Sequence, residues 1–296
     1  MSLHGGHSGE FCDHAESTLS EMVAAAVNAG YHTFGVTEHA PRTEEYIYPE
    51  ERAMGWGATY LNRLFAAYVT EVNRLAVEFQ GRMQILRGFE MEVVPASSYV
   101  SWMTELRAWA LPSGKPAFDY AVGSVHFVDG HQIDGKLDAF KGAINNAGSL
   151  EALVIRYYEH VAELATVLKP EVIGHFDLIK KNIIRENLDI QVLSRSAVTH
   201  AATRALAAVK DAGSILDFNL AGWRKKLGEP YPSPALTREA CAMGIGFCFG
   251  DDSHRPTEVG AGLAEGRNYL LENGVNTITA LTKLPDGTVQ QVKVPL

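Results

Sequence analysis

Short apolar stretches rich in β-branched residues alternate along the chain with longer stretches in which apolar residues recur at helical spacing. Such alternation predicts strands that are each followed by a helix. The predicted strands span residues 31–37, 83–89, 120–125, 172–174, 215–218 and 245–249. The predicted helices span residues 17–29, 60–79, 150–168, 192–212, 235–243 and 258–272. This order is typical of a parallel sheet covered by helices.

Two segments carry clear signals for their ends. Thr18 lies three residues before Glu21, which is the capping-box pattern of a helix start, and Gly30 follows the same predicted helix. The last stretch, residues 277–294, has Asp286-Gly287 near its centre. That pattern predicts a terminal hairpin.

Polar side chains follow the carboxyl ends of the predicted strands. They are Glu38 with His39, Glu90, His126, His175, and Asp252 with His254. A strand–helix barrel builds its site from this rim with residues of several strands, whereas a doubly wound sheet concentrates its chemistry at one switch point. The distribution favours a barrel, and we expect residues 1–296 to form a single domain of this kind.

Composition limits the possible partners. The net charge is -9, and no dense Lys/Arg run with interleaved aromatics is present, which argues against a nucleic-acid partner. Without a signal peptide or a long apolar run, we expect a cytoplasmic protein without a membrane anchor. Cys12, Cys241 and Cys248 form no CxxC pair, so neither a disulfide framework nor a cysteine zinc site is indicated. The oligomeric state is left undetermined.

The N-terminal segment holds His4, His7 and His14 among small and polar neighbours. Glycines allow the backbone to come close to a bound ion, and imidazoles supply neutral nitrogen ligands. A frayed terminus or a remnant of a tag explains this segment equally well when it is considered alone.

Recurrence at the strand ends makes coincidence a poor explanation for the histidines. Seven of the eleven lie at a strand end or in the N-terminal segment: His4, His7, His14, His39, His126, His175 and His254. His160 and His200 lie in predicted helices and are interpreted as ordinary packed or solvated residues, whereas His32 and His131 are undecided.

Seven imidazoles together with the carboxylates of Glu90 and Asp252 exceed the ligand number of one ion. The residues therefore predict two or three divalent ions. Clustered ions clamp the oxygens of a phosphoryl group and acidify bridging water. Hydrolysis of a phosphate ester is the chemistry that this cluster favours.

The motifs resemble those of the PHP (polymerase and histidinol phosphatase) superfamily. The resemblance rests on the His-rich start, Thr37-Glu38-His39, Gly88-Phe89-Glu90, Ser124-Val125-His126, Gly174-His175 and Asp252-Ser253-His254. Within the superfamily, the chain resembles the histidinol-phosphate phosphatase group at residues 7–9, 34–42, 48–51, 125–130, 133–134 and 217–225.

The resemblance implies a distorted (β/α)7 TIM-like barrel with a metal site at the C-terminal face of the strands. It implies about three divalent ions (Zn, Fe or Mn), held by His4, His7, Glu90 and Asp252, by Glu90, His126 and His175, and by His14, His39 and His254. The activity it implies is hydrolysis of L-histidinol phosphate to L-histidinol and phosphate in histidine biosynthesis. Gly5 and Gly6 separate His4 from His7, whereas the family usually has His-x-His. This spacing leaves open how His4 reaches its ion.

Further residues receive roles as hypotheses. Asp252 is expected beside the attacking nucleophile as a ligand and proton acceptor, and His254 is expected to help the leaving alcohol depart. Arg42 and Arg224 are candidates for binding phosphate, because guanidinium groups match its oxygens. A plain surface role explains either arginine equally well. The aromatic-rich loop 44–56 is a candidate lid, or else packs onto the barrel.

Three alternatives remain open. Another PHP-type phosphoesterase would act on a different small phosphomonoester or phosphodiester. A binuclear amidohydrolase would need a bridging lysine, and no lysine occupies a strand-end motif. A metal-storage or regulatory module would not need the intact Asp252-Ser253-His254 motif.

Overall fold

The computed structural model describes residues 1–284 and 286–296. Its strands are β1 (His4–Gly6), β2 (Thr33–Val36), β3 (Gln84–Arg87), β4 (Glu90–Met91), β5 (Val122–Gly123), β6 (Phe127–Val128), β7 (His131–Gln132), β8 (Val172–Ile173), β9 (Ile215–Asn219), β10 (Phe247–Ser253), β11 (Thr277–Lys283) and β12 (Val289–Pro295). Its helices are α1 (Leu19–Asn28), α2 (Pro49–Ala53), α3 (Ala58–Glu78), α4 (Tyr99–Arg107), α5 (Leu137–Ala147), α6 (Leu150–Leu168), α7 (Lys180–Arg185), α8 (Ser196–Ala212), α9 (Ala221–Arg224), α10 (Pro234–Ala242) and α11 (Leu263–Glu272).

Parallel strands close into a ring. One sheet has the order β1-β10-β9-β8-β5-β4, and β2 pairs in parallel with β3, the segment just before β4. A parallel bridge from Ser2 to Phe34 joins β2 to the residues that lead into β1. With β3 and β4 counted as one interrupted strand, the ring is a distorted (β/α)7 barrel, and the predicted fold class is confirmed.

The interior of the barrel is apolar towards the start of the strands. The ring strands and the residues leading into them contribute a small buried cluster, which Leu281 of β11 joins. Its members are Leu3, Leu86, Tyr120, Val122, Val172, Ile215, Cys248 and Leu281. Buried polar residues therefore collect at the opposite end, where the strands finish.

Helices cover the outside of the ring and share one large apolar cluster with it. The predicted helix 60–79 is α3, whose buried face includes Leu61, Phe65, Tyr68 and Val72 at helical spacing. Helix α1 begins at the predicted capping box between Thr18 and Glu21. The sequence pattern therefore identifies covering helices such as α1 and α3 by the face that they bury.

Two predicted helices begin later than expected. Helix α11 starts at Leu263 because Gly260 and Gly262 have positive φ angles of 77° and 85°, which a continuous helix does not accommodate. Before α8, the segment Ile190–Ser194 forms a 3-10 helix, so the regular helix starts at Ser196. These differences move helix boundaries without changing the order of elements.

The predicted terminal hairpin is present as β11 paired antiparallel with β12, with Pro285 outside the described residues. The short hairpin of β6 and β7 and the helices α4 and α5 are additions that the pattern did not reveal. Within residues 1–284 and 286–296, no helix has both the length and the apolar character that a membrane crossing requires.

Candidate metal centre and active site

Five histidines surround the carboxylate of Glu90 at the start of β4. Its Oε1 lies 3.3 Å from His175 Nε2, 3.5 Å from His4 Nε2 and 3.7 Å from His126 Nε2, and its Oε2 lies 2.8 Å from His39 Nδ1 and 3.7 Å from His7 Nε2. Glu90 is buried, yet neither of its oxygens accepts a hydrogen bond from the described residues. A buried carboxylate in this state is costly unless a cation balances it. The donor set therefore fits divalent metal ions.

The remaining predicted residues extend the cluster to one side. The ring of His7 stacks on His39 with centroids 4.0 Å apart and lies 4.9 Å from the ring of His254. The ring of His14 lies 4.9 Å from that of His254. Asp252 Oδ1 is 3.7 Å from His7 Nε2. All nine predicted metal ligands thus lie in one cluster.

Two groups have ligand atoms within 4.8 Å of one another and fit a shared ion: His4, His7 and Asp252, and His4, Glu90 and His175. A third group combines His7 and His39 with Cys12, a thiol that the sequence did not single out. These distances support binding of divalent metal. They do not divide the ligands into the three expected sets, so that division stays a prediction.

Both N-terminal histidines reach the cluster because the strand between them is irregular. His4 pairs with Gly250 and Gly6 with Ser253, so the register between β1 and β10 shifts within β1. Gly6 has a φ of 113°, and a Cβ atom there would lie 2.0 Å from the Ser253 carbonyl oxygen. At Gly5 a Cβ atom would lie 2.2 Å from the Gly35 carbonyl oxygen. The double glycine therefore allows His4 and His7 to face the same carboxylate.

Asp252 lies near the end of β10 with left-handed backbone, φ 48°. Its Oδ2 is 3.4 Å from Asn219 Nδ2 and 3.7 Å from Lys225 Nζ. Arg224 Nη2 donates a hydrogen bond of 3.0 Å to the Asp252 carbonyl oxygen. Because such backbone is unfavourable for most side chains, the neighbouring strand and helix hold this carboxylate towards the cluster.

Carboxylates behind the cluster contact the far ring nitrogen of four histidines. The pairs are His4 Nδ1 with Asp217 Oδ2 (2.8 Å), His7 Nδ1 with Glu38 Oε2 (3.3 Å), His126 Nδ1 with Glu92 Oε2 (2.6 Å) and His14 Nδ1 with Asp13 Oδ1 (2.8 Å). Such contacts fix the tautomer and orientation of a metal-binding imidazole. Sequence reasoning missed these roles, although two of the acids have a local signal: Asp217 interrupts an apolar strand, and Glu92 is two residues after Glu90, just past the end of β4.

Charges within the cluster shift the pKa values of its side chains. Burial lowers the pKa of His4, but the carboxylates of Glu90 and Asp217 outweigh burial and raise that pKa to about 10. Burial and the nearby His7 lower the pKa of His39 well below its ordinary value. Burial alone would raise the pKa of Glu90, yet the surrounding histidines, His4 first, hold it well below the usual range. Glu90 is therefore an anion, and His39 is in the neutral form that coordinates metal.

The cluster forms the floor of a cavity of about 480 Å³. Cationic side chains line the same cavity: Lys136, Lys181, Arg185, Arg224, Lys225 and Arg255. Arg224 Nη1 is buried and has no hydrogen-bond partner among the described residues. The cavity can therefore accept an anionic group above the cluster.

Arg42 lies elsewhere. Its guanidinium is ion-paired with Glu51 and stacks 3.8 Å from the ring centroid of Tyr48, and it does not line this cavity. The contacts with Glu51 and Tyr48 hold the segment 48–51 in place, and phosphate binding by Arg42 stays a prediction that this position does not favour. Of the two arginines predicted to bind phosphate, the structure brings only Arg224 to the cavity.

The candidate lid divides into two parts. Tyr48 and Glu50 line the cavity, and Glu50 Oε1 lies 2.7 Å from Lys136 Nζ across its mouth. Trp56 packs against Tyr60 and does not line the cavity. Only the part around α2 is placed where it can cover a substrate.

The other histidines lie apart from the cluster. His160 on α6 is buried, with Nε2 3.1 Å from Asp129 Oδ1, and His200 on α8 is exposed. His131 lies in β7 and His32 is exposed before β2. The interpretation of His160 and His200 as ordinary residues agrees with these positions.

Replacing Asp217 with asparagine is expected to weaken metal binding by about 10- to 100-fold, since such outer carboxylates typically contribute that much. Asparagine keeps the shape but removes the charge next to His4 Nδ1. Metal titration of the stripped protein measures the affinity. An Asp211→Asn variant, at an exposed position of α8, is the control. Unchanged affinity in the Asp217 variant would remove that residue from the metal centre.

Comparison with known proteins agrees with this geometry. A family model described as the PHP domain matches residues 4–221. The chain belongs to the PHP domain family. The match starts at His4, the first histidine of the cluster, and ends at residue 221. Asn219, near the end of the match, lies beside Asp252 in the folded chain.

Relatives of this PHP domain protein carry names that specify a reaction. It is 33% identical over 296 residues to the "probable histidinol-phosphatase" of Schizosaccharomyces pombe, an alignment that covers 97% of this chain and 91% of the relative. It is 26% identical over 303 residues to the histidinol-phosphatase of Saccharomyces cerevisiae, covering 92% of this chain and 88% of that protein.

A solved structure shares the fold of this PHP domain protein. The histidinol phosphate phosphatase of Lactococcus lactis, solved with zinc, L-histidinol and phosphate, superposes with a TM-score of 0.65 at 17% identity. The superposition covers 96% of this chain and 97% of that one.

Proposed function

We propose that this chain is a metal-dependent phosphomonoesterase that hydrolyses L-histidinol phosphate to L-histidinol and phosphate in histidine biosynthesis. The observation that carries the proposal is the buried carboxylate of Glu90, which accepts no hydrogen bond from the described residues and lies among five histidines on the floor of a cavity lined also by lysines and arginines. Relatives named histidinol-phosphatase over nearly the whole chain support the choice of substrate.

The proposed metal content is about three divalent ions, of zinc, iron or manganese. His4, His7, Glu90 and Asp252 would hold one ion, Glu90, His126 and His175 a second, and His14, His39 and His254 a third. When bound, such ions supply Lewis acidity, which offsets phosphoryl charge and makes water acidic near neutral pH. Imidazole and carboxylate ligands suit all three metals, so the donor set does not choose among them.

The protein groups divide the remaining work. Arg224 and Lys225 bind phosphoryl oxygens at the cavity wall, next to Asp252. The carboxylate of Asp252 accepts the proton of the attacking water. His254 Nδ1 lies 3.0 Å from the Asp252 carbonyl oxygen and donates to it, so only Nε2 remains for a further role. Ligand of the third ion and proton donor to the leaving alcohol are therefore alternative roles for Nε2.

The remaining expectations stay predictions. One large apolar cluster runs from Leu19 to Ile278, which supports a single domain over residues 1–296. The buried thiols of Cys12 and Cys248 are free, which agrees with a reducing compartment such as the cytoplasm.

Removal of metal is expected to reduce phosphate release from L-histidinol phosphate by about 100-fold or more, because no protein group replaces the charge of the ions. Chelated protein is assayed before and after addition of zinc, manganese or iron, alongside other phosphomonoesters and a phosphodiester. Recovery of activity with preference for L-histidinol phosphate is the expected result. Full activity in metal-free protein contradicts the proposal, and preference for another ester shifts it to a different phosphatase.

A further inference from the structure

Six carboxylates line the cavity above the metal cluster: Asp13, Glu50, Glu90, Asp134, Asp252 and Glu258. Glu90 and Asp252 belong to the cluster itself. Three others have close partners, Asp13 with His14 Nδ1 at 2.8 Å, Glu50 with Lys136 Nζ at 2.7 Å and Glu258 with His254 N at 2.9 Å. Among the described residues, the contacts of the Asp134 carboxylate are longer, 3.4 Å to Gln132 Nε2 and 3.5 Å to Lys181 Nζ. Outside the proposed metal ligands, Asp134 is thus the lining acid with the longest contacts to its partners.

A hairpin places Asp134 beside the metal centre. Strand β6 begins directly after His126, and β7 returns antiparallel to it, with Phe127 opposite Gln132. Ile133 N then donates a hydrogen bond of 2.9 Å to the His126 carbonyl oxygen. Ile133 is fully buried, so the neighbouring Asp134 faces the cavity. The hairpin therefore brings Asp134 to the same cavity as His126, a proposed metal ligand.

Helix α7 fixes the backbone on both sides of Asp134. The amide of Asn182 donates to the carbonyl oxygens of Ile133 and Gly135 at 2.9 and 3.1 Å. Lys181 Nζ donates to the Asp134 carbonyl oxygen at 2.8 Å. Lys181 therefore bonds more closely to the backbone than to the carboxylate. The backbone is held firmly, and the carboxylate keeps lone pairs for another donor.

The proposed substrate has a donor that matches this position. In L-histidinol phosphate, two carbon atoms lie between the ester oxygen and the primary ammonium group. Because this linker is short, an ammonium whose phosphate lies on the cluster stays in the same cavity, which Asp134 lines. Aspartate side chains are ionised at neutral pH, so Asp134 offers the substrate a negatively charged carboxylate. An anion with unused acceptors suits a primary ammonium.

We propose that Asp134 binds the substrate's primary ammonium and makes the site select phosphate esters of β-amino alcohols over phosphomonoesters without an amine. This assignment rests on the proposed phosphatase function. Asp134 is neither one of the proposed metal ligands nor one of the cationic residues that receive the phosphate.

The test compares metal-loaded wild type with the Asp134→Asn variant on two substrates. One is L-histidinol phosphate, and the other is imidazolylpropanol phosphate, which differs by lacking the ammonium. For the variant, KM for L-histidinol phosphate is expected to rise about 10- to 100-fold, which is the scale of one charge-assisted hydrogen bond. Its kcat/KM for the analogue should stay within about twofold of wild type. Asp134→Glu, which keeps the charge, should retain part of the preference.

Asp138→Asn is the matched control, an exposed acid in the first turn of α5 that does not line the cavity. Metal content and thermal melting of each variant report whether the centre and fold are intact. Equal losses on both substrates mean that Asp134 acts through His126 or Lys181, which overturns the inference. If wild type shows no preference for the amine-containing ester, the inference fails while the phosphatase function stands. If wild type hydrolyses neither ester, the proposed function fails, and the inference fails with it.

Discussion

Replacing Glu90 with glutamine is expected to reduce phosphate release by about 1,000-fold or more and to lower the metal content of the protein. The side chain stands among five histidines, and its two oxygens are within 3.7 Å of their nitrogens. Glutamine keeps the volume but removes the negative charge and introduces a donor that repels cations. Loss of several kcal/mol of transition-state stabilisation corresponds to this decrease, at about 1.4 kcal/mol for each factor of ten.

The measurement is steady-state phosphate release together with elemental analysis of the purified variant. Glu78→Gln is a suitable control, because Glu78 lies in the same chain region, at the exposed end of α3, and pairs only with Arg74 at the surface. A Glu90→Gln protein with wild-type metal content and rate would mean that the cluster is not the metal centre.

Replacing Asp252 with asparagine is expected to abolish turnover, again by about 1,000-fold or more, while the fold stays intact. Asp252 has left-handed backbone, φ 48°, and asparagine is one of the few residues that tolerates this conformation. The substitution is isosteric and therefore removes the proton acceptor without changing the shape of the site. Thermal melting should change little, since among the described residues the contacts of the Asp252 carboxylate are long: 3.4 Å from Oδ2 to Asn219 Nδ2, 3.7 Å to Lys225 Nζ, and 3.7 Å from Oδ1 to His7 Nε2.

The decisive comparison is kcat against metal content for the Asp252→Asn protein. A large loss of kcat in protein that still binds metal assigns the carboxylate to proton transfer. Loss of metal in parallel with kcat assigns it chiefly to coordination. Undiminished turnover would exclude Asp252 from the mechanism altogether.

The sequence pattern predicts the barrel because the strands, the helices and the strand ends of this fold each have a recognisable residue pattern. The apolar strands are short and buried, the covering helices show one apolar face, and the acids and histidines stand where strands such as β5 and β8 end. The position of the predicted metal ligands follows from that rule, since parallel strands of a barrel finish at one rim. The convergence of His126 and His175 on Glu90 is the direct result.

The roles of other residues in the site are harder to predict from the sequence. The role of Asp134 depends on the β6–β7 hairpin, whose two-residue strands are too short to give a hydrophobic pattern. Asp217 lies inside a strand and acts on His4 from 213 positions away, so spacing along the chain does not connect them. Arg42 comes shortly after the Glu38-His39 motif in the sequence, yet its guanidinium forms an ion pair with Glu51. Pairings of this kind depend on tertiary packing and become visible only in the folded chain.

We propose that imidazoles and carboxylates far apart in the sequence hold a group of divalent ions around Glu90. Anomalous diffraction from crystals grown with zinc, with data collected on both sides of the zinc absorption edge, tests it most directly. We expect more than one anomalous peak, each within bonding distance of His or carboxylate atoms of the cluster and one of them bonded to Glu90. Maps with no peak at Glu90, from crystals that bind zinc elsewhere, would contradict it.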